Sequence, residues 1–192
     1  YPSGTNISCF GFSDGSIDLT IGGGTPGYTY SWTGPNGFIS TNEDLTNLTA
    51  GQYDVVVTDA NGCQITSTIE LTEPTELEQS NIPFTYPSGD NISCFGFSDG
   101  SIDYEVTGGS PVYTYVWSNG QTTQDISGLP ADTYEVTVTD INGCIIEETI
   151  ILTEPTELTQ SHTPFTYPSG DNISCFGFSD GSIDYEVTGG SP

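Results

Sequence analysis

The sequence predicts an all-β chain of tandem β-sandwich repeats joined by Pro/Thr/Glu-rich linkers. Three observations predict it: a long internal repeat, apolar residues alternating at period two, and turn clusters that punctuate the alternation. No segment has helical periodicity.

The repeat comes first. Residues Pro83 to Pro111 recur without change as Pro164 to Pro192, and Tyr1 to Ile17 is a near copy in which Thr5 replaces Asp90. Cys94 and Cys175 stand 81 positions apart, whereas Cys9 and Cys94 stand 85 apart. The four extra residues of the first copy fall around Gly34 to Asn42, which predicts a loop insertion there.

Within a copy, Ile17, Leu19 and Ile21 alternate, as do Ile102, Tyr104 and Val106. Tyr28, Tyr30 and Trp32 form the next alternating run and answer to Tyr113, Tyr115 and Trp117. Tyr53, Val55 and Val57 then answer to Tyr134, Val136 and Val138. Gly22-Gly23-Gly24, Pro35-Asn36-Gly37 and Asn61-Gly62 supply the turns between runs. Strands punctuated every 8 to 12 residues or so, with a Trp in a middle strand, predict an immunoglobulin-like sandwich. Leu48 to Tyr53 reads as a tyrosine corner, so Trp32, Tyr53, Trp117 and Tyr134 are the expected structural core. Glu148 breaks the pattern by standing at an inward phase, which predicts a bulge or an edge position there.

The expected organisation is a first repeat over 1–73, a linker over 74–89, a second repeat over 90–154, a linker over 155–170 and a truncated third repeat over 171–192. Prolines stiffen the linkers and oppose a helix or a central strand. Phe84, Tyr86, Phe95 and Phe97 either close one end of the following domain or wedge neighbouring domains at a fixed angle. The truncated copy holds only the first strands of a sandwich. Either the chain is expected to continue or a neighbouring chain to complete that sheet.

Five cysteines are distributed as two per complete repeat and one in the fragment. Intradomain disulfides Cys9–Cys63 and Cys94–Cys144 are expected, with the partner of Cys175 outside these residues; reduced, buried thiols are the competing reading. Each such loop would contribute on the order of 4 kcal/mol by restricting the unfolded chain. Bridges of this kind need an oxidising compartment. Two cysteines and no histidine per repeat cannot complete a tetrahedral zinc site.

The ordered set Cys94-Phe95-Gly96, Asp99-Gly100-Ser101-Ile102, Gly108-Gly109-Ser110-Pro111 and Tyr113 to Trp117 continues through Asn119-Gly120 and Leu129-Pro130-Ala131. Tyr134 to Asp140, Asn142-Gly143-Cys144 and Thr153-Glu154-Pro155 complete it. This set resembles the SprB-type repeat of large surface adhesins in gliding Bacteroidota. The resemblance covers both complete copies and the fragment. It implies a very long secreted protein attached to the outer membrane, exported by the type IX secretion system and carried along the surface by the gliding machinery.

Charge excludes several partners. Lys and Arg are absent while Asp and Glu number 26, so nothing can neutralise a phosphate or anchor to an anionic headgroup. Nucleic acid is excluded as a partner, and no apolar run reaches the roughly 18 to 20 residues needed to insert into a membrane as a helix. The only histidine, His162, stands in a linker, which leaves no base for a nucleophilic triad, and no enzyme is expected. Calcium is the one cofactor the residues offer, through Asp14, Asp18, Asp59, Asp99, Asp103 and Asp140; the bland reading is that Asp59 and Asp140 accept backbone bonds in turns. Asn6, Asn47, Asn91 and Asn172 stand in Asn-x-Ser/Thr sequons, and linker Thr residues could carry O-linked sugars.

The expected function is a structural stalk of an extracellular, cell-surface repeat adhesin whose partners are neighbouring repeats, copies of the same fibre or a surface polysaccharide. A carbohydrate-binding array is the alternative. It would use Tyr28, Tyr30 and Trp32 as an exposed platform, against their alternation, which places them in the core.

Overall fold

The computed structural model describes residues 1–190. Its strands are β1 (Gly15–Ile17), β2 (Thr29–Thr33), β3 (Ile39–Ser40), β4 (Leu45–Leu48), β5 (Gly51–Thr58), β6 (Gln64–Leu71) and β7 (Thr75–Pro83). They continue with β8 (Gly100–Gly109), β9 (Thr114–Trp117), β10 (Ile126–Leu129), β11 (Asp132–Thr139), β12 (Ile145–Leu152), β13 (Thr156–Pro164) and β14 (Ile183–Gly190). The sheets run β3-β2-β5-β6, β1-β4, β10-β8-β7, β12-β11-β9 and β13-β14. The described residues are strands and turns almost throughout, an all-β chain as the alternation predicts.

Backbone proximity divides it into two compact units. The first comprises Tyr1–Ser80, Tyr104–Gln124 and Glu135–Glu148; the second comprises Asn81–Asp103, Asp125–Tyr134 and the residues from Thr149 onward.

In the first unit, β5 shows why the alternating sequence folds as it does. Tyr53, Val55 and Val57 point inward and are buried, while the residues between them face outward. They pack with Ile7, Ile17, Trp32, Leu45, Leu48 and Leu71 into one apolar core. The Tyr53 hydroxyl donates to the Thr49 carbonyl at 3.0 Å, closing the tyrosine corner. Trp32 is buried, and its indole N–H donates to the Asn42 carbonyl at 2.8 Å. β4 must place both Leu45 and Leu48 inside, three residues apart. It does so through a bulge at Asn47, whose φ of 57° lets the strand regain phase. The insertion around Gly34 to Asn42 forms a 3-10 turn at Pro35–Gly37 and the short strand β3, which pairs with β2.

β9 pairs with β11 in the same unit, from Trp117↔Val136 to Thr114↔Thr139, with Tyr104, Trp117, Val136 and Val138 buried. Tyr104 stacks edge-on against Trp117 with centroids 5.5 Å apart. Burial first, and then the charge of Glu148, pushes the Tyr104 phenol well above its ordinary range. Glu148 is half-buried on β12, the outer strand of its sheet. Of the two outcomes its phase predicts, a bulge or an edge position, this is the edge.

In the second unit, β10 pairs with β8 around Ile126↔Ile102, with the corresponding bulge at Gly128, φ 73°. Ile92, Ile102, Ile126, Leu129, Tyr134, Ile150 and Leu152 are buried. The Tyr134 hydroxyl donates to the Pro130 carbonyl at 2.9 Å, a second tyrosine corner.

The segments read as linkers are strands. β7 lies at the edge of β10-β8-β7, and β13 pairs with β14 from Pro164↔Ile183 to Thr156↔Gly190. Proline ends both strands at Pro83 and Pro164, and neither strand is central. His162 therefore stands in a ladder, opposite Tyr185, and not on a loose tether.

Candidate functional site

Two turns in the first unit build the site. The first follows Ile7 and is tied to the end of β6. The Asn6 and Ile7 amides both donate to the Thr72 carbonyl, at 2.9 and 3.0 Å, and the Thr72 amide returns a bond to the Asn6 side chain at 2.9 Å. The Gly11 amide donates to Glu73 Oε2 at 2.7 Å, and the Phe12 amide donates to the Cys9 carbonyl at 3.1 Å. Asp14 braces the segment from below, accepting from the Ser8 amide at 3.1 Å and the Tyr1 hydroxyl at 2.8 Å.

The second turn connects β11 to β12. Asp140 is buried and accepts three backbone N–H groups: Ser110 at 2.8 Å, and Asn142 and Cys144 at 2.9 Å each. This Asx arrangement fixes the turn and aims two side chains outward from it. Asn142 Nδ2 lies 2.9 Å from Ser3 Oγ, from the Ser8 carbonyl and from Ser110 Oγ. Cys144 bonds to Cys9 with an S–S distance of 2.04 Å and Cα atoms 5.7 Å apart.

The bridge corrects the expected pairing. Cys9 does not join Cys63, and Cys94 does not join Cys144; Cys63, Cys94 and Cys175 are exposed free thiols. Topology supplies the reason in the first copy. Cys9 is anchored beside Thr72 and Glu73, past the far end of β6, whereas Cys63 immediately precedes its start. The eight residues of β6 span about 26 Å, and a disulfide needs Cα atoms within roughly 7 Å. The bridge instead joins the front of the first copy to the rear turn of the second.

A cavity of about 440 Å³ opens beside the bridge. Phe10 and Phe12 line it from the first copy, Thr75 to Leu77 from β7, and Gly109 with Gly143 to Ile146 from the second copy. These phenylalanines remain half in solvent, at 50% and 55% exposure, so they border the junction and do not fill a core.

The six aspartates read as candidate calcium ligands serve elsewhere or stand apart. Asp59 accepts the amides of Thr25 at 3.0 Å, Asn61 at 2.9 Å and Cys63 at 2.8 Å, and those of Thr25 and Cys63 hold its carboxyl below the ordinary range. The Ser93 hydroxyl and then its amide do the same for Asp99. Asp18 and Asp103 are exposed. Among the described residues, no three acidic, Cys or His side chains come together as a metal-ligand group. The aromatic run proposed as a sugar platform is inward: Trp32 and Trp117 are buried, and Tyr28, Tyr30, Tyr113 and Tyr115 are half-buried.

Sequence reasoning missed the reach of Asn142 and Ser8 across copies. The signal was the turn sequence Asp-x-Asn-Gly-Cys itself, which repeats at Asp59 to Cys63 and carries two polar groups beyond the turn's own needs.

The SprB repeat family matches at residues 3–37, 89–122 and 170–192, once in each copy. No curated protein sequence matches the chain. Among solved structures, the amphioxus IgVJ-C2 molecule aligns at 14% identity and a TM-score of 0.33, covering 78% of this chain and 97% of that one. The N-terminal eight Ig domains of Down Syndrome Cell Adhesion Molecule isoform 1.30.30 align at 12% identity and a TM-score of 0.31, covering 93% of this chain and 30% of that one. At these scores neither likeness carries an argument about binding. The three matched stretches fall one in each copy, in the order that the motifs set, so each copy of this chain is similar to a SprB repeat.

Proposed function

We propose that this chain is a stalk segment of a secreted bacterial cell-surface adhesin, serving surface attachment and, in gliding cells, movement over a substrate. It is a mechanical element without an active site. The observation that carries the reading is the Cys9–Cys144 bridge, which joins one copy covalently to the next across a sequence separation of 135. Tension entering at the front of the first copy passes through this bond to the second and bypasses the hydrogen-bonded strands between. The linker strand supports the same reading, because β7 leaves the first copy and enters the sheet of β8 without a slack segment. A structural disulfide further fits an oxidising, extracellular setting.

Force spectroscopy on the full chain, held by its two ends, tests the mechanical role. With the bridge intact, residues 9–144 should contribute almost nothing to the extended length. Adding reductant should release about 450 Å of contour, from 135 residues at roughly 3.3 Å each. An extension that is the same with and without reductant would sink the proposal. Antibodies against residues 90–154 should label intact cells of the source organism, and labelling confined to lysed cells would contradict the location.

A further inference from the structure

We infer that Cys94 is a covalent docking site for the Asp-x-Asn-Gly-Cys turn of a further copy of this repeat. Each copy's first cysteine would thus bond to the second cysteine of its successor. The inference rests on the first junction and the internal repeat, and stands whether or not the protein is a cell-surface stalk.

Cys94 is the repeat counterpart of Cys9, and Cys144 is that of Cys63. The bond observed between Cys9 and Cys144 is therefore a bond from one copy's front to the next copy's rear turn. Everything that prepares Cys9 is rebuilt around Cys94. The Phe97 amide donates to the Cys94 carbonyl at 3.1 Å, as Phe12 does to Cys9. The Gly96 amide donates to Glu154 Oε2 at 2.7 Å, as Gly11 does to Glu73. Asn91 and Ile92 are tied to the Thr153 carbonyl, each at 3.0 Å, as Asn6 and Ile7 are to Thr72.

The cavity is repeated as well. Around Cys94 it measures about 590 Å³ and is lined by Phe95, Phe97, Thr156 to Leu158 and Gly190. These are the counterparts of Phe10, Phe12, Thr75 to Leu77 and Gly109 in the first junction. The first cavity is smaller, about 440 Å³, and one of its walls is Gly143 to Ile146, the segment that carries the bonded cysteine. The second has the same walls except that one. What fits it is the missing wall: a Gly-Cys turn preceded by an Asn whose amide reaches the carbonyl of Ser93, as Asn142 reaches that of Ser8.

Between copies in one chain, the bond forms when the two thiols give two electrons and two protons to a disulfide oxidant, which leaves as a dithiol. The site itself can be read without that oxidant. A peptide with the sequence of residues 139–146, its cysteine activated as a 2-pyridyl disulfide, is added to the full 192-residue protein. A protein thiolate attacks the peptide sulfur, the new S–S bond forms, and pyridine-2-thione leaves carrying the displaced sulfur's electron pair and a proton.

Peptide mapping then counts capture at each free thiol, relative to a scrambled peptide of the same composition. Capture at Cys94 should exceed that at Cys63 and Cys175 by about tenfold, since within these residues no linker segment follows Cys175 and Cys63 is itself a rear-turn cysteine. Replacing the peptide's Asn by Ala should bring the three rates together. Equal capture at all three thiols, preference for Cys63 or Cys175, or a Cys94 preference matched by the scrambled peptide would each overturn the inference.

Discussion

The first-strand segment occurs twice in complete copies and folds differently in each. At Gly15 it forms a strand of three residues, β1, and Leu19 and Ile21 leave the ladder half-buried. At Gly100 the equivalent segment forms a strand of ten residues, β8, with Tyr104 fully buried. Both keep the same alternation, so propensity does not set the length. The partner does: β8 lies between β10 and the linker strand β7, while β1 has only β4. The fragment extends the lesson. β14 has its linker strand, β13, and runs for eight residues, yet Tyr185 is 57% exposed where Tyr104 is at 0%. A linker strand lengthens the strand of the copy that follows; only the rest of the sandwich buries it.

Breaking the covalent junction should produce the largest effect. With Cys9 and Cys144 both changed to Ser, loss of a closed loop of this length should lower stability by about 5 kcal/mol. Urea denaturation followed by tryptophan fluorescence measures it. A midpoint unmoved from that of the parent chain would show that the hydrogen bonds of Asn142 suffice at the junction.

The buried and exposed versions of one tyrosine come next. Tyr104→Ala should cost about 3–5 kcal/mol, because it removes a fully buried ring packed on Trp117. Tyr185→Ala should stay within about 0.5 kcal/mol. Equal losses in thermal melts would mean that the face of β14 is covered in solution.

A glycine pair sharpens the role of the linker strand. A Cβ at Gly108 would meet the Glu76 carbonyl oxygen at 1.7 Å, so Gly108→Ala must push β7 from β8. Its first-copy counterpart, Gly23, has nothing within 4 Å, and Gly23→Ala carries only the strain of its φ of 84°, about 1–2 kcal/mol. Hydrogen exchange should show loss of protection along β7 in the first variant and no change in the second.

Acid should have the smallest effect, and the same one in each copy. Hydroxyl and amide bonds from Ser93 and Ser174 hold Asp99 and Asp180 below the ordinary carboxylate value of about 3.9. Their stabilisation is therefore complete above that value and lost as pH falls through the lowered one. Melting temperature should be level from neutral pH to about 5 and fall below about 4. Asp99→Asn should flatten part of that fall.

Much of this architecture was legible in the sequence. The inward run of β5 and the unusual phase of Glu148 follow from period-two patterning, and the corner at Tyr53 follows from the run Leu48 to Tyr53; all depend only on local geometry. β7 was hidden because its inward face carries Leu77, Gln79, Asn81 and Pro83, too polar to read as a strand. That face makes sense only beside Tyr104, whose hydroxyl bonds to Gln79. The disulfide partner was hidden for a related reason. Spacing gives the size of a loop, but which end of β6 each cysteine occupies is a property of topology. Asp140 and Asn142 read as an ordinary turn, because two of the groups that Asn142 meets lie 134 and 139 positions upstream, at Ser8 and Ser3.

A bond between one copy's front and the next copy's rear has a consequence for inheritance. Unequal crossing-over between the identical stretches Pro83 to Pro111 and Pro164 to Pro192 excises or inserts 81 residues, a whole number of codons. If each copy sealed itself, every such event would be neutral to its cysteines. The cross-copy bridge is neutral as well, since excision brings Cys9 against the same turn of whichever copy now follows. The gene can therefore change the length of this protein in steps of one period without stranding the thiol at its first junction.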